Sequence, residues 1–213
     1  MLLQVERKPD AIFCLGDLIG LGPDPAAVVN WFHRSPAICV QGDDDQALIE
    51  GVSSQDEPES AILVDDTLEH ARRVLSLPQR EFLMSLPPRR AVTLGGARFV
   101  IAHGHDLPCI SSPMTLSEDD LWEALGDEAD IILVGHTHHP ALRALERGWL
   151  VNPGSLGQPR YGAPDATYAV WEDGDITIHH LHYPYHITAQ KLNLLPLAPE
   201  TVERLAQALI TGV

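Results

Sequence analysis

The 213-residue sequence predicts an α/β layered domain with a mixed sheet. Three observations carry that expectation. Helical and strand-like patterns alternate early and hairpins dominate late, so parallel and antiparallel pairing are both needed. Four apolar runs end on a small residue followed by Asp or His, the usual form of a strand that delivers a ligand to a sheet edge. The length suits one sizeable core, and no internal repeat or low-complexity linker divides it, so a single domain is expected over 1–213.

Composition narrows the function. Hydrophobic content is 45%, which is ordinary for a globular protein. The formal charge of −16 opposes general binding to nucleic acid phosphates. The three cysteines have no C-x-x-C spacing. Cys14 and Cys39 lie inside apolar runs, where a free thiol acts as a small hydrophobe, and Cys109 lies in a Pro-containing loop. That pattern fits a reducing cytoplasm. The first residues lack the apolar length of a signal peptide, and no transmembrane run is present.

In chain order, residues 1–8 read as the end of a helix without an N-cap, stopped by Pro9-Asp10. Ala11–Leu15 is a buried strand closed by Gly16-Asp17. The loop Leu18–Asp24 carries Gly20, Gly22 and Pro23 but matches neither a P-loop nor a dinucleotide fingerprint. Asp24 is placed to cap a helix that starts at Pro25 and runs to about Arg34, where Pro36 breaks it. Ala37–Val40 is the next strand, closed by Gly42-Asp43-Asp44-Asp45. A polar loop over 51–59 precedes helices from about Ser60 to Ser76 and from about Gln79 to Leu86. Gly95-Gly96 joins two strands, Ala91–Leu94 and Arg98–Ala102, and the second runs into His103-Gly104-His105. Ser117 caps a short helix to about Leu125. The apolar run from Ala129 to Val134 then stops at Gly135-His136-Thr137-His138-His139. Two strands flank Arg147-Gly148, a hairpin turns at Asp173-Gly174, and a final helix covers about Glu200 to Ile210.

Asp17, Asp43, His103 and His136 each follow a small residue at a strand end, and His138 is a fifth candidate. Small residues let backbones approach closely there. Each alone reads as a loop residue, but together they make a metal site. Mixed carboxylates and imidazoles suit Mn, Fe, Zn or Ni better than Ca.

These motifs resemble those of the calcineurin-like metallophosphoesterases, in particular the compact bacterial and archaeal members, from about Lys8 to Tyr185. The residues concerned are Leu15-Gly16-Asp17 through Pro23, Ala102-His103-Gly104-His105, Gly135-His136-Thr137-His138 and Asn152-Pro153-Gly154-Ser155 through Arg160. The resemblance implies a four-layer αββα sandwich with mixed sheets and a two-metal site. It makes Asp17 the bridging ligand, gives His138 to the first metal, and gives Asp43, His103 and His136 to the second. It also implies hydrolysis of a phosphomonoester or phosphodiester by a metal-activated water.

Two departures bear on activity. The family's first strand and its D-x-H motif are missing, so the first metal keeps only Asp17 and His138, and only one site retains its full set. The uncapped half-helix at the start leads to the expectation of a true start upstream of Met1, which a stop codon in the preceding in-frame DNA would refute. Second, Gly42-Asp43-Asp44-Asp45 stands where the family has Gly-Asn-His-Asp. Asp44 then occupies the position of the His that helps the leaving group depart. With an ordinary pKa of about 3.9 it would be ionised and repel phosphate. Losing a general acid costs roughly 10²- to 10⁴-fold. His105 and His139 are the alternative proton sources, each also readable as a supporting or solvent-facing residue. The catalytic candidates are thus Asp44 and His105.

The expected substrate is a small phosphorylated molecule, with no nucleic-acid surface and no membrane involved. The rival reading is a degenerate phosphoesterase fold that binds a metal, a nucleotide or a protein. A Ser155 hydrolase is disfavoured because Pro153-Gly154-Ser155-Leu156-Gly157 is not G-x-S-x-G. His179, His180, His182 and His186 read as an exposed hairpin face and its surroundings. Arg160 is readable as a phosphate contact or an ion-pair residue. Trp31, Trp122, Trp149 and Trp171 read as core or half-buried packing.

Overall fold

The computed structural model describes residues 8–51, 58–108, 112–125 and 129–213, with side chains from 63 onward in the second stretch. Residues 1–7 of the expected helix end, most of the 51–59 loop and Cys109 lie outside the described residues.

Period-two alternation builds the centre. In strand β4 (Ala97–Ala102), Phe99 and Ile101 join one apolar cluster while Val100 and Ala102 join another. The same split separates Ile131 from Ile132 in β5 (Ile131–Leu133) and Val151 from Leu150 in β7 (Gly148–Asn152). A sheet buried on both faces needs a layer on each side. The five-stranded sheet runs β3-β4-β5-β7-β6, with β3 at Arg89–Leu94 and β6 at Ala141–Leu145. Its edge strands are antiparallel to their neighbours, and β4, β5 and β7 are parallel.

One face of this sheet packs on helix α5 (Glu118–Leu125) through Leu121 and Leu125. The other meets two short sheets. These are the parallel pair β1 (Phe13–Cys14) and β2 (Ile38–Cys39), and the hairpin β8 (Ala166–Glu172) and β9 (Asp175–Leu181). Phe13, Leu15, Ile38, Ala169 and Trp171 contribute to that inner core, with Trp171 edge-on to Phe99 at 5.3 Å. Beyond β1 and β2 lie α1 (Pro25–Arg34), α2 (Asp43–Glu50), α3 (Pro58–Val74) and α4 (Leu77–Met84), packed through Val29, Leu48, Leu68 and Leu83. The order helix, sheet, sheet, helix is the expected αββα sandwich. Two further helices, α6 (Tyr185–Leu192) and α7 (Pro199–Thr211), pack together, and Thr201 of α7 donates to Asp66 of α3 at 2.5 Å. Among the described residues, no helix is long and apolar enough to cross a membrane.

Several expectations need correction. Asp43-Asp44-Asp45 does not close a strand in a loop; it forms the first turn of α2, where three carboxylates face the positive end of the helix dipole. Asp24 precedes α1 but makes no capping bond, and its carboxylate accepts from Lys191 at 2.6 Å instead. Pro58, assigned to a loop, is the first residue of α3. Helix α6 was not expected, because so short a segment buries only Ala189 and Leu192 and shows little periodicity. Trp31 and Trp149 lie outside the core, 39% and 36% exposed, which leaves the half-buried reading for them. Cys14 and Cys39 face each other in register as free thiols within the helix-side core, as hydrophobes would.

Candidate metal centre

The carboxyl ends of β1, β2, β4 and β5 converge. Gly16 and Gly42 make this possible. A Cβ on Gly16 would lie 2.5 Å from the Gly42 nitrogen, and one on Gly42 would lie 2.1 Å from Asp17 Oδ1. With no side chains between them, the two loops touch backbone to backbone, and Asp17 and Asp43 enter one site. The sheets are also tied directly, since His103 Nδ1 lies 2.5 Å from the Leu15 carbonyl oxygen and the Gly135 N–H donates to the His103 carbonyl at 2.8 Å.

Inside the cluster, Asp43 Oδ1 lies 2.7 Å from His103 Nε2 and 3.1 Å from His136 Nδ1. Asp17 Oδ2 lies 3.1 Å from His138 Nε2 and 3.4 Å from His103 Nε2, and Asp17 Oδ1 accepts from the Asp44 N–H at 3.3 Å. All five residues expected at the centre are therefore brought together, with His103 between the two carboxylates. Asp17, His136 and His138 have φ of 53°, 63° and 56°, left-handed values that non-glycine residues rarely adopt. Such strain gathers at functional sites because it is kept only where the surroundings enforce it.

The surroundings here are identifiable. Asn152, fully buried at the end of β7, donates to the Gly135 carbonyl at 2.7 Å and to Thr137 Oγ1 at 3.0 Å, and accepts from the Gly154 N–H at 2.9 Å. The Asn-Pro-Gly-Ser segment thus fixes the His136–His138 loop. Asp45 does the same for the other loop. One oxygen accepts from the Leu18 and Ile19 N–H groups at 3.0 and 3.3 Å, and the other reaches back to the Gly42 N–H at 3.0 Å. Sequence reading missed this residue because three consecutive Asp look alike; only the helical register singles out the one that turns back. Gln158 sits between His138 and Arg160. With its amide oriented to satisfy both, it donates to His138 Nδ1 at 3.3 Å and accepts from the guanidinium at 2.9 Å.

The charges are mutually adjusted. Burial alone would raise the Asp43 pKa, but hydrogen bonds from His103 and His136 outweigh it and hold the carboxyl well below its ordinary range. Burial would lower His103, yet the Asp17 charge and the bond to Asp43 raise it to about 9. Burial, then the Asp17 charge, pushes Asp45 up to about 7. Burial, then the neighbouring His103 charge, lowers His105.

The catalytic candidates differ in placement. Asp44 is buried, with Oδ2 2.8 Å from where a Gly20 Cβ would stand. His105 offers a ring nitrogen to a group with Asp43 and His103 whose donor atoms all lie within 4.8 Å of one another. His139 points elsewhere, with Nδ1 3.2 Å from the Arg160 carbonyl oxygen. Ser155 Oγ accepts from the Gln158 N–H at 3.0 Å and serves the turn. His180 on β9 and His182 just beyond its end are both exposed, although Asp165 pairs with His182 at 2.8 Å where no acidic partner was expected.

Comparison with known proteins agrees with this fold. The calcineurin-like phosphoesterase superfamily domain matches residues 1–174. An uncharacterized protein of Methanocaldococcus jannaschii is 27% identical over 207 residues, covering 85% of this chain and 79% of that protein. The crystal structure of a metallophosphoesterase from Sphaerobacter thermophilus has a TM-score of 0.74 at 26% identity, covering 100% of this chain and 92% of that one. A hypothetical protein from Pyrococcus horikoshii has a TM-score of 0.76 at 21% identity, covering 100% and 89%, a likeness of fold.

Proposed function

The chain belongs to the calcineurin-like phosphoesterase superfamily, and from that premise we propose that it is a metal-dependent hydrolase of small phosphoric monoesters or diesters. The observation that carries the proposal is the convergence of Asp17, Asp43, His103, His136 and His138, three of them in left-handed backbone. The donor set fits first-row divalent ions such as Mn, Fe, Zn or Ni. Asp43, His103 and His136 would hold one ion, Asp17 and His138 the other, with Asp17 between them. Divalent ions there would polarise a phosphoryl oxygen and make water a better nucleophile.

The protein's own groups have separate tasks. Asp45 and Asn152 fix the two ligand loops, so little reorganisation is needed when substrate arrives. His103 must give up its Nε2 proton for that nitrogen to serve as a ligand, while the Leu15 carbonyl keeps Nδ1 protonated and the ring oriented. Arg160, exposed and braced by Gln158, is placed to meet an anion. The free thiols Cys14 and Cys39 favour a reducing compartment such as the cytoplasm.

A second reading, a non-catalytic fold that keeps a metal, is favoured by Asp44. A buried carboxylate at the place of the usual proton donor disfavours an incoming phosphate. Turnover of aryl phosphate monoesters and diesters with and without Mn separates the two. The hydrolase reading expects metal-dependent release of the aryl alcohol. Metal binding without turnover would support the second reading.

A further inference from the structure

We propose that His105 is a third imidazole ligand on the Asp43 side of the centre. The inference rests on the metal-binding reading above. Gly104, at φ +106°, turns the chain just after β4, so His103 and His105 both face the site. The rings of His103, His105 and His136 stand 5.5, 5.4 and 6.2 Å apart between centroids, a triangle beside the Asp43 carboxylate. The donors of Asp43, His103 and His105 lie within 4.8 Å of one another. Ligands about 2.1 Å from one ion sit roughly 3–4 Å apart at tetrahedral or octahedral angles, so small movements would gather this group.

A second observation is independent of that clustering. His105 Nδ1 is buried and has no hydrogen-bond partner among the described residues. Buried polar atoms are rarely left so, and those that are call for an explanation. A ring held beside Asp43 with an unanswered nitrogen is explained by a cation that completes it. A ring nitrogen committed to a cation has no proton to offer a leaving group, so the ligand and proton-donor roles exclude each other at that atom.

The test is Co(II) binding to the full chain, read by calorimetry and by visible ligand-field bands, for wild type, His105→Ala and His105→Gln. The expected result is at least about tenfold weaker binding at the tightest site in both variants, with shifted bands. In wild type, the His105 ring protons should show large paramagnetic shifts, a readout that does not depend on either variant folding. Unchanged affinity and bands, or an unshifted His105 ring, would overturn the assignment and leave the phosphoesterase reading standing. Wild-type protein that binds no divalent ion would overturn both.

Discussion

Asp17 and Asp43 occupy matching positions after adjacent parallel strands, yet their carboxylates keep different company. Asp43 is wrapped by His103 and His136, with His105 close by. Asp17 has His138, the more distant His103 and one backbone N–H. One side is dense in donors and self-neutralising; the other, among the described residues, has two side chains of its own. The comparison shows which ligands the described loops supply to each carboxylate. Strand ends set where ligands start, and the next two or three residues of each loop decide how many arrive.

Asp44 follows Asp43 and donates its N–H to Asp17 Oδ1, and replacing it is expected to have the largest effect. Asp44→His places an imidazole where a proton donor would act and removes a carboxylate. Turnover of an aryl phosphodiester should rise by roughly 10²-fold or more. No gain in protein that binds metal would remove the leaving-group role from this position.

Gly42→Ala attacks the meeting of the two sides. The new Cβ would strike Asp17 Oδ1 and backbone, so the loops must part. A loss of about 1–3 kcal/mol in unfolding free energy is expected, along with weaker metal binding. Chemical denaturation reads the first and calorimetry the second. A stable variant with unchanged affinity would show that backbone contact is not what joins the sites.

The smallest effect separates the sides by pH. His103 titrates near 9 in the metal-free protein because of Asp17 and Asp43. Its pairing therefore contributes stability fully below the unfolded value of about 6.5 and loses it as pH rises through about 9. A metal competes with that proton, so affinity should climb toward pH 9, by at most about tenfold per unit. Calorimetry at pH 7 in buffers of different ionisation enthalpy should record proton release. PH-independent affinity over that range would place the proton elsewhere.

Much of this was legible in the sequence. An apolar run ending in a small residue and then Asp or His marks a strand and a ligand together, so Asp17, Asp43, His103 and His136 could be found by pattern, with His138 two residues further on. The layered α/β class with a mixed sheet followed from the early alternation of helices and strands and from the late hairpins, whereas the four-layer order came from the family resemblance. Less was legible where spacing carries no information. Gly-Asp-Asp-Asp reads as a turn until the chain is seen to start α2 there, and only then does Asp45 separate from its neighbours. Asn152 sits in a recognisable motif, but its bond to the Gly135 carbonyl joins residues distant in sequence. The nearness of His105 to Asp43 depends on how β4 meets β2 across the sandwich, which no local pattern encodes.

The central claim is that the Asp43 side holds metal more tightly than the Asp17 side. Mn(II) titration of His136→Ala and His138→Ala beside wild type tests it most directly. The account predicts that His136→Ala weakens the tightest binding at least about tenfold while His138→Ala leaves it within about twofold. A tight site that depends on His138 and ignores His136 would contradict it.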